Sequence, residues 1–238
     1  MQNALIGIAG ETLEARAAGT LWWPAARLLA VGDLHLGKAR AIARRNQGFL
    51  PPYADDDTLA RLEAEVAALS PATILLLGDS FDDHRSAAET GAAIAPAFAR
   101  MAEGRRLLWI AGNHDPHPVP GLPGDALGEY RAGPLAFRHI AAEQTPPHGE
   151  GEISAHYHPQ ATLFRRGARL RRRCFLASES RAILPAFGTF TGGMDACDPV
   201  FDALLGHQAS ALMIGRRVTR VPRGRLGANM GARVSTPA

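Results

Sequence analysis

Three times in the first half of the chain, a short apolar run stops at a glycine and is followed at once by residues that bind metals or phosphates. Leu28 to Val31 leads into Gly32-Asp33-Leu34-His35, Thr73 to Leu77 into Gly78-Asp79-Ser80-Phe81-Asp82-Asp83, and Leu107 to Ala111 into Gly112-Asn113-His114-Asp115. Wholly apolar runs of this length, separated by amphipathic helical segments, read as parallel strands buried on both faces. Sites in such sheets form at the carboxyl ends of the strands, so the recurrence lines carboxylates, imidazoles and an amide along one edge. Asp33 and His35, at i and i+2 of a segment read as extended, are expected to project on the same side. A carboxylate and an imidazole brought together suit a hard-to-borderline divalent cation.

The intervening segments read as helices. Gly37 to Asn46 is a helix whose N-terminus, with Lys38, is expected to face the strand end in a geometry that favours phosphate. Asp55, Asp56 and Asp57 are read as N-cap and first-turn charges of a helix reaching Leu69, with Leu59, Leu62, Val66 and Leu69 on one face. A third helix runs from about Ala87 to Met101, with a kink expected at Pro96. Upstream, Glu11 to Pro24 reads as two short strands around Ala18-Gly19. From Tyr130 onward the segments are short, alternate polar with apolar residues and are separated by Gly/Pro turns, which reads as mostly antiparallel sheet. Val200 to Leu205 suggests a short helix and Ala211 to Val221 a last strand. The expected fold class is α/β, a four-layer α/β/β/α sandwich of two packed mixed sheets flanked by helices. It would form a single domain over residues 1–225, with 226–238 as a flexible C-terminal tail.

A chain of 238 residues, 46% hydrophobic, can bury such a core without covalent staples. Its two cysteines, Cys174 and Cys197, make no C-x-x-C, which suits a reducing compartment. Neither a signal-like N-terminus nor a run of 18 apolar residues is present, so a cytoplasmic protein without a membrane partner is expected. The net charge of +3 is unevenly spread: residues 1–158 carry 13 Lys+Arg against 19 Asp+Glu, and residues 159–238 carry 13 against 4. The acidic part suits metal binding and the basic part a polyanion. Arg165, Arg166, Arg169, Arg171, Arg172 and Arg173 read either as a phosphate track or as the solvated edge of a strand. No aromatic-rich stacking platform is evident, so sequence-specific nucleic-acid recognition is not expected. His84, His117 and His207 read as surface histidines, and Met194 and Trp109 as packing residues.

The remaining histidines complete a pattern. The order D-x-H, G-D-x-x-D, G-N-H-D, a later His139 and then H-x-H at His156 and His158 resembles the calcineurin-like binuclear metallophosphoesterases from Val31 to about Pro159. GDLHLGK, SAHYHP and LPAFGTFTGGMD, residues 184–195, narrow the resemblance to the bacterial ligase-associated DNA damage response endonuclease branch, also called PdeM. The resemblance implies that Asp33, His35 and His158 hold one metal and Asn113, His139 and His156 the other, with Asp79 bridging. It implies that His114 serves the substrate phosphate or leaving oxygen and that Asp82 orients that imidazole. Lys38, Arg171, Arg172 and Arg173 are the expected substrate-binding residues. Two departures from the family pattern stand at Ala155, where glycine is usual, and at Ile140 after His139. His148, in the loop PPHGEG, is the alternative to His139.

The expected activity is therefore that of a binuclear phosphodiesterase, an endonuclease acting on single-stranded DNA in repair through a metal-bridging hydroxide. The resemblance implies two divalent ions, manganese first and iron or zinc as alternatives. By the same resemblance, other repair proteins such as a DNA ligase or helicase are expected partners. An esterase for a small nucleotide or cyclic diester and a non-catalytic scaffold of the same fold are the competing readings.

Overall fold

Alternate residues of the apolar runs go to different cores, and that division sets the layers of the molecule. A computed structural model describes residues 3–165 and 168–227. In chain order its elements are β1 (Ala4–Ile8), β2 (Glu11–Ala15), β3 (Leu21–Trp23), β4 (Leu28–Val31), α1 (Lys38–Arg44), α2 (Ala54–Leu69), β5 (Thr73–Leu77), α3 (His84–Ala102), β6 (Arg106–Ile110), β7 (Asp125–Leu127), β8 (Tyr130–Ala132), β9 (Leu135–Phe137), β10 (Gly151–Ser154), β11 (Gln160–Arg165), β12 (Ala168–Ala177), β13 (Arg181–Ile183), α4 (Val200–Leu205), β14 (Ser210–Met213) and β15 (Thr219–Pro222), followed by a 3-10 turn at Arg223–Arg225.

The first sheet holds β1 to β7 in sequence order, antiparallel from β1 to β4 and parallel from β4 to β7. The second has the order β15-β14-β12-β13-β10-β9-β8, with β11 paired to β12; its pairs are antiparallel except β9 with β10 and β10 with β13. Leu28 and Ala30 of β4 and Leu75 and Leu77 of β5 point between the sheets, where they meet Phe137, Ile153, Phe175 and Leu212. Their neighbours Leu29, Val31, Ile74 and Leu76 point outward onto Leu59 and Leu62 of α2 and Phe98 of α3. On the far side Cys174, Leu176 and Ile183 pack against Phe201 and Leu205 of α4. Residues at i and i+2 of a strand share a face, so each central strand serves two cores and reads as continuously apolar. The result is the α/β/β/α sandwich of two mixed sheets.

Several local expectations need correction. The chain from Ser210 to Pro222 forms a hairpin, β14 and β15, instead of one strand. β1, β7 and β8 lie outside the expected strands; β7 and β8 are short and, unlike the equally short β9 and β13, have no fully buried residue and so no apolar run to mark them. α3 begins earlier than expected, at His84, where the side chain of the N-cap Asp83 accepts from Ser86 N at 2.7 Å. α2 has Tyr53 at its N-cap position, and Asp55 to Asp57 lie in its first turn. The tail does not begin at residue 226: Leu226 is buried and Gly227 N donates to Thr162 O at 3.0 Å. The rest of the expected tail and Arg166 lie outside the described residues. Cys174 and Cys197 are both free, and no helix among the described residues is long and apolar enough to cross a membrane.

One buried ion pair steadies the chain next to the site. Arg181, fully buried, lies 3.1 Å from the Glu152 carboxylate and donates to the carbonyls of Ala142, Gln144 and Leu204, while Glu152 accepts from Ala142 N. These bonds fasten the loop that follows β9 and satisfy a charge that would be costly to bury alone.

Candidate metal centre

The loops after β4, β5, β6, β9 and β10 meet at one end of the sandwich. Those after β4 and β5 continue to pair beyond their strands: Asp33 N donates to Gly78 O, His35 N to Asp79 O and Leu36 N to Ser80 O, at 3.2, 3.0 and 2.8 Å. The second sheet joins through the chain after β13, where Phe187 N donates to Gly32 O and Gly188 N to Asp33 O. The backbone turns sharply here. Asp33, His35, Asp79, His156 and His158 all have left-handed φ, between 46° and 71°, a region where Asp and His are among the few side chains enriched. Asp33 and His35 therefore do not alternate along an extended strand; tight turns, not strand geometry, bring them together.

Two groups of donors result, Asp33 with His35 and His158, and Asp79 with His139 and His156, the ligand atoms in each lying within 4.8 Å of one another. In the first, His158 Nε2 is 3.3 Å from both His35 Nε2 and Asp33 Oδ1. In the second, His139 Nε2 lies 3.3 Å from Asp79 Oδ2, 3.2 Å from His156 Nδ1 and 2.9 Å from Asn113 Oδ1. The groups adjoin, since Asp33 Oδ1 is also 3.9 Å from His139 Nδ1. His148 is exposed and belongs to neither group, as are His84, His117 and His207.

The donors fit divalent cations. His139 Nδ1–H donates to Leu77 O at 2.8 Å, which leaves the Nε2 lone pair turned into the cluster. Behind His35 the Asp82 carboxylate lies 3.4 Å from Nδ1 and sets the ring the same way. Burial lowers the pKa of His35 and of His156, favouring the neutral imidazole a cation needs. Burial pushes the Asp79 carboxyl up, but the hydrogen bond and charge of His139 and the main-chain N–H of His114 outweigh it and hold it down to about 2. The same Asp79 interaction raises His139 against its own burial. Imidazoles packed edge to face, with two buried carboxylates between them, are a donor set short of positive charge at its centre.

The surroundings differ from expectation at three places. Asp82 does not orient His114 through its carboxylate: the His114 ring donates from Nδ1 to the main-chain carbonyl of Asp82 at 2.6 Å. The carboxylate instead lies beside His35, Lys38 Nζ (3.1 Å) and Arg45 Nη1 (3.3 Å), and these partners hold it well below the usual carboxylate range despite burial. Nor is the N-terminus of α1 open to a substrate phosphate, because the Asp55 carboxylate already accepts from Gly37 N at 3.0 Å and Lys38 is paired to Asp82. Thirdly, Arg173 is half-buried and donates to Ala186 O and Phe187 O at 2.7 and 3.2 Å, so it braces the segment against Gly32; burial and the Arg61 charge bring its pKa down to about 10. Arg171 and Arg172 are exposed, and Arg171 donates to Gly193 O at 3.1 Å. Of the two residues read as core or loop packing, Trp109 stacks on Phe81 and packs at a tilt against Phe98, and Met194 lies 37% exposed in the loop after β13.

Sequence reasoning missed Asp115, the last residue of G-N-H-D. Its Oδ2 accepts from Ser80 N and Phe81 N at 2.8 and 3.1 Å and so holds the turn that carries Asp79. Burial, with the Asp79 charge adding to it, raises its carboxyl to about 6 against those two N–H donors. The departure at Ala155 also has a structural answer. A methyl on Gly32 would fall well inside van der Waals contact with Ala155 Cβ, so the alanine fits only because residue 32 has no side chain. Crowding at Ala155 does not displace the next residue, whose N–H donates to both oxygens of Asp33 at 3.1 and 3.2 Å. Gly32→Ala is expected to destabilise the protein by about 1–3 kcal/mol through overpacking, and Gly32→Ala with Ala155→Gly to recover most of it in thermal melts.

A family model for calcineurin-like phosphoesterases matches residues 26–166. No curated protein matches the chain. Among solved structures, the crystal structure of a Pseudomonas putida nuclease MPE is 30% identical to the chain, with a TM-score of 0.72, and the alignment covers 92% of this chain and 100% of that one.

Proposed function

The chain belongs to the calcineurin-like phosphoesterase family and is a metal-dependent phosphoesterase, and on that premise we propose that it hydrolyses phosphodiester bonds of single-stranded DNA internally. The observation that carries this reading is the pair of three-residue donor groups held side by side at one sheet edge. Asp33, His35 and His158 would hold one ion and His139, His156 and Asn113 the other, with Asp79 between them. Manganese is the proposed metal because the family resemblance implies it; the mixed carboxylate, imidazole and amide donors would also accept iron or zinc. When bound, two such cations neutralise phosphoryl oxygens and acidify a water.

The chain's own residues supply orientation and a proton. The His114 ring is fixed by the bond from Nδ1 to Asp82 O, which leaves Nε2 3.9 Å from Asp79 Oδ2, at the exposed mouth of the centre. There the doubly protonated ring donates from Nε2 to a phosphate oxygen of the substrate, or gives its Nε2 proton to the leaving oxygen and keeps the Nδ1–H bonded to Asp82 O. Leu77 O and Asp82 hold His139 and His35 in their tautomers, and Asp115 holds the Asp79 turn. DNA as substrate is supported by the similar nuclease and by the excess of arginine after residue 158. Action in DNA repair, beside a ligase or helicase, belongs to the same proposal and rests on the GDLHLGK, SAHYHP and LPAFGTFTGGMD strings, whereas the proposed cytoplasmic location rests on the cysteine usage, which suits a reducing compartment.

Purified protein with Mn²⁺ is expected to cut both bis-p-nitrophenyl phosphate and circular single-stranded DNA at low salt. Turnover of the small diester with intact circles would make it an esterase for small nucleotides, and failure to bind metal would leave a scaffold. Reversing Arg171 and Arg172 to glutamate should weaken DNA cleavage more than cleavage of the small diester and flatten its salt dependence; equal losses would assign both arginines to folding. Arg173 is left out of that variant because its bonds are internal.

A further inference from the structure

Two aromatic rings far apart in the sequence meet on the surface beside the metal centre. Tyr53, just before α2, and Phe190, in the loop after β13, have ring centroids 6.2 Å apart at 58°, and they are 57% and 45% exposed. The loop is anchored at both ends beside the first donor group: Gly188 N donates to Asp33 O, and Gly193 lies so close to His158 O that a methyl there would clash with it. Between these anchors Thr189 is tied to α2, its N–H donating to Thr58 Oγ1 at 3.0 Å and its hydroxyl to Asp57. Phe190 therefore stands at the apex of a short, fixed arch over the site's edge.

Its backbone is strained. Phe190 has φ 62°, a conformation costly for a bulky side chain and free for glycine, in a loop that already uses Gly188, Gly192 and Gly193. A phenylalanine held in that conformation with its ring turned to solvent contributes little to the core, and strain of this kind gathers at ligand clamps. At the end of the same arch, exposed Arg171 contacts Gly193 O. Exposed aromatic faces next to cationic side chains are how single-stranded nucleic acid is held without sequence readout, by base stacking and backbone attraction.

We propose that Phe190 and Tyr53 form a stacking platform for a nucleobase flanking the scissile phosphate. The proposal rests on the nuclease reading and names binding residues that the linear sequence conceals. It is tested by fluorescence anisotropy with an oligodeoxythymidine and an abasic oligomer of equal length, at low salt with Ca²⁺ in place of Mn²⁺ to keep the metal centre loaded while slowing cutting. Phe190→Gly is expected to weaken oligodeoxythymidine binding about tenfold and abasic binding less than twofold, with an unchanged or higher melting temperature. Tyr53→Ala should show the same selectivity, and Phe190→Trp should retain binding. Equal losses on the two oligomers, or none, would overturn the platform while leaving the nuclease reading in place. A wild-type protein that binds no single-stranded DNA would overturn both.

Discussion

Asp79→Ala is expected to abolish hydrolysis of bis-p-nitrophenyl phosphate, by at least ~10³-fold, because several kcal/mol of transition-state charge stabilisation depend on two cations held together. Asp79 is buried with both oxygens in use: Oδ1 accepts from His114 N at 2.9 Å, and Oδ2 faces His139. Elemental analysis should find fewer than two ions per chain in the variant. Two retained ions with lost activity would mean that Asp79 positions His114 and His139 without bridging. Acidification gives a second readout. The Asp79 carboxyl, held down to about 2, contributes stability that is fully present above its ordinary pKa of about 3.9 and is lost as pH falls toward 2. In the metal-free protein that acid-labile part should therefore be missing from the variant.

His114→Ala should behave differently, retaining both ions and losing about 10²–10⁴-fold in turnover, the range for removal of a general acid or base. His114 takes no part in either donor group, and its anchor is a main-chain carbonyl. The leaving group separates its two possible tasks. A p-nitrophenolate leaves without needing a proton, whereas the alkoxide of a DNA strand needs one, so a proton donor's loss should be larger on DNA. Equal losses on both substrates would show that Nε2 only stabilises phosphoryl charge. Loss of metal would reassign His114 as a ligand.

Much of the fold could be read because burial on both faces leaves a plain mark. β4, β5 and β6 were found from their apolar runs, and the polarity change after residue 130 separated the two sheets. β7 and β8 escape because none of their residues is fully buried, which leaves no apolar run, and the α1 terminus is misread because its occupant, Asp55, lies 18 residues further on. The same holds at the site. Asp33, His35, Asp79, His139, His156 and His158 announce themselves by type and order. The partner of the Asp82 carboxylate, the bracing role of Arg173 and the meeting of Tyr53 with Phe190 do not, since each joins residues at least 13 positions apart.

Residue type and local spacing by themselves determined which strands are buried, where each ends and which side chains there can bind a cation, because those properties belong to single residues and short periods. Only the tertiary structure decided which carboxylate stands behind which imidazole, which arginines face water and where two rings meet. Those outcomes depend on left-handed turns at five ligand positions and on the packing of one sheet against another, and neither is written into any local stretch of chain.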